Sequence, residues 1–248
     1  MTSFHLFRSE LRKLTTTRMP WAFGAVLLTL AVTNGIAVAI GTDMDGSKSF
    51  ISTGADQQSL MAFAANALML GGLFGATAAG REYAHNTVIA TYLTTPGRTR
   101  ALRSQLSAIA VAGGALGMAG AALIATAVAV SLPFTDYGFM VPAAGFLQVI
   151  GAAGWAGAAG AVLGAAIGTV VRNTGGAVTG AVVVLVIAPP VVVQLANGAA
   201  PWVPTALANV ASGVATDTGT AAALVALALW AFVPASAAAW SVSHRDVV

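Results

Sequence analysis

Of 248 residues, 57% are hydrophobic and 8% are charged, whereas a soluble domain carries roughly a quarter charged residues. That scarcity excludes a soluble domain of this length, and the polar residues are too scattered to enclose a second one, so a single membrane domain over residues 1–248 is expected. The lack of cysteine excludes disulfides, thiolate metal sites and cysteine nucleophiles. The formal charge of +3 lies beside apolar runs without interleaved aromatics, so no nucleic-acid partner is expected.

In residues 1–19, Phe4, Phe7, Leu11 and Leu14 share one helical stripe, with Arg8, Arg12 and Lys13 turned away. This pattern predicts an amphipathic helix that rests among lipid headgroups or docks on a cytoplasmic partner. Pro20 suits the first turn of the helix that follows. A membrane span needs about 20 apolar residues, and six stretches qualify: 20–41, 59–80, 104–132, 143–171, 175–195 and 220–240. The expected fold is an all-α, polytopic membrane protein. Ala37-Val38-Ala39 has the form of a leader-cleavage site, but the apolar run around it exceeds the roughly 7 to 15 residues of a leader core, so it reads as a retained span. The third and fourth stretches exceed what a bilayer requires and must tilt or project. Arg172 and Asn173 mark the break between the fourth and fifth, because an unpaired arginine in mid-membrane is costly.

Asp43, Asp45 and Gly46 open a loop with the start of a calcium-binding pattern, but its remaining ligands and terminal glutamate are missing. A solvated acidic loop is expected there, with no metal site. Lys48 falls in that loop, whereas Arg8, Arg12, Lys13, Arg18, Arg81, Arg98, Arg100, Arg103, Arg172 and Arg245 fall on the other side. Basic connections face the cytoplasm, so both termini of a multi-pass plasma-membrane protein are expected on the cytoplasmic side.

None of the six stretches holds Asp, Glu, Lys, Arg or His away from its ends. Ion-coupled carriers use such a group to bind the coupling ion, which argues against that class. Neither lysine stands in a Walker A setting. No catalytic arrangement joins His5, His85 or His244 to a partner at one membrane depth, so no enzymatic activity is expected of the chain itself. Asn34, Asn66 and Gln148 are polar positions within spans; interhelical hydrogen bonding is their ordinary role, and lining a substrate path is the alternative. Gly71, Gly75 and Ala79, and Gly151, Gly154 and Gly157 through Gly168, form small-residue faces for close packing within the chain or between subunits.

Residues 81–98 read Arg81-Glu82-Tyr83-Ala84-His85-Asn86-Thr87 and continue through Val88, Ile89, Tyr92 and Leu93 to Pro96-Gly97-Arg98. Val88, Ile89, Tyr92 and Leu93 form one apolar helical face, and Pro96-Gly97 stops the helix. Arg81, Glu82, Tyr83, Thr87, Leu93, Pro96 and Arg98 resemble the loop between spans two and three of type-2 ABC exporter permeases; Asn86 stands where glycine is usual. Pro201-Trp202-Val203-Pro204 and the residues to Asn209 resemble that family's re-entrant helices, here 196–212, with Pro189 and Pro190 expected to kink or break the fifth span before it. The resemblance implies that residues 81–98 form a coupling helix, with Arg81, Glu82, Tyr83, Asn86, Thr87, Tyr92 and Leu93 facing a cytoplasmic ABC ATPase. It also implies a second permease subunit, identical or related, and ATP and Mg held by the ATPase, with no cofactor in this chain. The uncharged spans suit hydrophobic or amphipathic cargo such as a drug, a lipid-linked molecule or a peptide. The alternative is a non-transporting membrane anchor that recruits a cytoplasmic protein through the same segments.

Overall fold

The computed structural model describes residues 3–40, 51–85, 87–88 and 97–244. The acidic loop with Asp43, Asp45, Gly46 and Lys48, the coupling positions Asn86, Ile89, Tyr92, Leu93 and Pro96, and Arg245 lie outside the described residues. Among the described residues all regular structure is helical, and six helical stretches are long and apolar enough to cross a membrane.

Helix α1 (Ser3–Thr16) precedes α2 (Met19–Ile40). The second stretch is not one helix. It comprises α3 (Gly54–Met61) and α4 (Ala64–Ala84). A capping box starts α3: the Thr53 hydroxyl accepts from the Asp56 N–H at 3.1 Å, and the Asp56 carboxylate accepts from the Thr53 N–H at 3.0 Å. At the break the Phe63 ring enters the core beside Leu27 and Gly120, and a β-carbon on Gly120 would stand 2.5 Å from that ring.

Helix α5 (Arg98–Ser131) starts at the Gly97 cap, so Arg98, Arg100 and Arg103 lie on the helix rather than in the connection expected before residue 104. Helix α6 (Ala143–Val171) matches its expected bounds. The chain then reverses at Arg172, which adopts a left-handed φ of 57°, and Asn173, whose side chain accepts from the Gly176 N–H at 3.1 Å to cap α7 (Thr174–Val182). Pro189 and Pro190 do not end the fifth stretch. A π-helical turn, Val183–Ile187, widens the backbone just before them, and the Ala188 N–H reaches five residues back to the Val183 carbonyl. The prolines occupy the first turn of α8 (Ala188–Leu195), where their missing N–H groups matter least. A 3-10 segment, Asn197–Trp202, leads to α9 (Pro204–Ala211), and α10 (Thr220–His244) follows.

Small residues weld α4, α5 and α6 together. A β-carbon at Gly75 would collide with the Ala161 carbonyl, and one at Gly164 with the Gly72 carbonyl; Gly113 and Gly157 meet across α5 and α6 in the same way. These glycine faces thus pack within the chain, which lets backbones approach closely where lipid removes the usual hydrophobic drive. Gly151 is outside this seam, with open space where its side chain would be. Along the apolar stretch of α6, 61% of residues are buried, against 22% in each of α2, the α7–α8 stretch and α10.

Candidate functional site

The described basic residues gather at one end of the bundle. There α1 packs on the start of α5, and the ends of α4 and α6 meet where the Arg172 guanidinium lies 5.8 Å from the centre of the Tyr83 ring. Arg81, Glu82 and Tyr83 continue α4 as its last turn instead of opening a separate helix. His85 caps that turn through its backbone N–H to the Arg81 carbonyl at 3.0 Å, and the Thr87 hydroxyl donates to the Glu82 carbonyl at 3.2 Å. Val88, the first residue of the expected apolar face, is buried.

Glu82 faces inward. Lys13 of α1 lies 3.6 Å from its carboxylate and 2.6 Å from that of Glu10. Burial alone would pull the Lys13 ammonium down, but the hydrogen bond to Glu10 and the charges of Glu82 and Glu10 outweigh it and hold the group above its ordinary value. Lys13 therefore stays charged and bridges two helices. Beside it opens a cavity of about 470 Å³ lined by Lys13, Thr17, Arg81, Glu82, His85 and Thr87.

The stripe expected on α1 is only partly buried against the rest of the chain. Leu6 and Glu10 are the helix's buried positions; Phe7, Leu11 and Leu14 are half-buried and Phe4 is 69% exposed. Lys13, expected to turn away, is exposed, but its ammonium reaches the carboxylates of Glu10 and Glu82. The physical reason is the second carboxylate: a stripe that contains Glu10 can be buried only where a cation meets it. Glu10 at three residues from Lys13 was the available sequence signal.

The three polar span residues do not converge. Asn34 donates to the Leu30 carbonyl of its own helix at 2.8 Å, and Asn66 is exposed on the first turn of α4. Gln148 donates to the Ala211 carbonyl at 3.2 Å, and Gln58 to the Ser212 carbonyl at 3.0 Å. Two amides thus close the last turn of α9, whose Leu207 and Ala208 are fully buried. Gln57, fully buried, donates to the carbonyls of Ile51 and Gly138 and accepts from the Met140 N–H at 2.9 Å. Gln57 and Gln58 carry no signal in the sequence, because each lies next to a span boundary, where a glutamine indicates only a loop.

The basic end offers a charged clamp, a cavity with charged side chains in its wall and the anchored start of residues 81–98; at the opposite end the closure is made by the amides of Gln57, Gln58 and Gln148. This arrangement suits force transfer or docking at the basic end. Comparison with known proteins adds no family: no protein-family model matches the chain, and no curated protein matches it significantly.

Proposed function

We propose that the chain is the permease subunit of an ATP-driven exporter of the type-2 ABC kind. In this reading the basic end and both termini lie in the cytoplasm of a plasma membrane, in accord with the charge rule for membrane connections. α1 lies along the membrane interface, residues 81–98 form the coupling segment, and 196–212 re-enter from the outer side. Two permease subunits, identical or related, flank a path for hydrophobic or amphipathic cargo, and a separate ATPase binds ATP and Mg.

The observation that carries the reading is the Glu10–Lys13–Glu82 clamp, which braces the root of residues 81–98 against α1. A segment that transmits the closure of an ATPase to spanning helices has to be anchored at its root, or its motion is lost in local bending. Here the load reaches α4, which is welded to α6.

The test is purification of the full-length chain from its native membrane in mild detergents. An ATPase with Walker motifs is expected in stoichiometric amount. Tyr92→Ser with Leu93→Ser is expected to release that ATPase while insertion stays intact. Recovery of the chain without any ATPase, or with a partner whose ATP hydrolysis ignores every candidate cargo, overturns the exporter in favour of an anchor.

A further inference from the structure

The clamp at the root of residues 81–98 holds two carboxylates against one ammonium. Lys13 lies 2.6 Å from Glu10 and 3.6 Å from Glu82, whose side chains are 7% and 18% exposed. With all three groups ionised, a net negative charge is left between side chains that solvent hardly reaches, which is costly. A proton on one carboxyl cancels that charge and makes the group a hydrogen-bond donor. The cavity of about 470 Å³ beside Glu82 gives the proton a route to and from water.

No other described group supplies the missing positive charge. Arg8 and Arg12 of α1 are exposed. Arg81 and His85 of α4 share the cavity wall, and Arg172 at the end of α6 lies over the Tyr83 ring. Arg100 and Arg103 of α5 line a separate cavity beside Phe4 and Phe7, and α7, which packs on α4, contains no titratable residue. Among the described residues, the charges that act on Glu82 are those of Glu10 and Lys13. Glu82 lies just beyond the apolar stretch 59–80. There burial, with the charge of Glu10 adding to it and Lys13 opposing, pushes its carboxyl up to about 7.

We propose that a single proton held between Glu10 and Glu82 fastens the last turn of α4 to α1, and that its release to water as pH rises lets that turn come away. Loss of the proton leaves both carboxylates ionised against one ammonium, and separation returns them to water. The separated Glu82 loses its proton near 4.5 and the docked one near 7, so docking is strongest in acid and weakens as pH rises through about 7. The switch belongs to this chain alone and holds or fails apart from any ATPase. In the exporter reading it sets how firmly residues 81–98 are braced.

Hydrogen exchange of the full-length chain in micelles, with each rate referred to that of a free peptide at the same pH, measures the docking. Protection of the last turn of α4 is expected to fall about tenfold from about pH 6 to about pH 8.5, as one proton leaves a group near 7, while protection along α6 holds. Glu82→Gln and Glu10→Gln keep the side-chain shape without the titrating proton, and each is expected to keep protection level across that range. His85→Gln, in the same cavity wall, is expected to retain the fall. A flat response of the unsubstituted chain, a fall that α6 shares, a fall that survives either Glu82→Gln or Glu10→Gln, or one that disappears with His85→Gln would each overturn the proposal.

Discussion

The inner stretches that hold α4, α5 and α6 have mean hydropathies of 1.6, 2.0 and 1.6, and the outer stretches α2, α7–α8 and α10 have 2.1, 2.4 and 2.0; all suit a membrane, yet they are held by different means. In the inner group, backbone meets backbone over glycine, and no side chain larger than hydrogen fits at Gly75 or Gly164. The outer helices present Leu28, Val32, Val191, Leu229 and Phe232 outward, and all five are exposed. Hydrophobicity therefore places all six stretches in lipid, but it is the absence of side chains that decides which of them stay together.

The largest effect is expected where that comparison can be made within one helix. Gly164→Leu should cost more than about 3 kcal/mol, because the intruding side chain meets main-chain atoms that cannot move aside. Gly151→Leu, on the same helix with open space around it, should stay within about 0.5 kcal/mol. Denaturant titration of both variants in micelles, followed by tryptophan fluorescence, checks the pair. Similar losses for the two would mean that α6 is not packed by this seam.

A smaller effect is expected at the end opposite the basic residues. Gln57→Ala removes three hydrogen bonds and leaves the Met140 N–H and the carbonyls of Ile51 and Gly138 without that partner. The same titration should show a loss of about 2 kcal/mol, with hydrogen exchange rising around Met140 and unchanged along α6. Smallest is the clamp. Lys13→Ala should cost about 1 kcal/mol: the Lys13 side chain is 42% exposed, so solvent screens much of its attraction, while loss of the partner for buried Glu10 keeps the effect above that of a surface pair. Its signature is local, with faster exchange at the end of α4 and in α1.

The contrast also explains what could be read from residues alone. The bounds of α6 were legible because Arg172 and Asn173 are both unfavourable in lipid and favourable as a reversal and a cap. The packing of Gly71, Gly75 and Gly157 was legible as a face, though not its partner. The start of α5 was misplaced because hydropathy reports where the apolar stretch begins, and the helix extends beyond it through Arg98, Arg100 and Arg103. The break at Ala62–Phe63 depends on the fit of one ring against Leu27 and Gly120, which is tertiary information. Pro189 and Pro190 obeyed the rule that proline disrupts an α-helical ladder, but the backbone absorbed the disruption as a wider turn instead of a break. At the candidate site, Glu82 is legible from its motif and its partner is not, because Lys13 lies 69 positions earlier, on a stretch whose pattern turns the ammonium to solvent.

The reversal at Arg172 and Asn173 bears on how the chain is assembled during synthesis. In the orientation proposed above it lies on the side where the chain is made, so α6 can complete its insertion while α7 still waits beside it. Two extended residues span roughly 7 Å, so α7 can then enter only directly against the end of α6, and its place in the bundle is set by the connection before any of its side chains are packed.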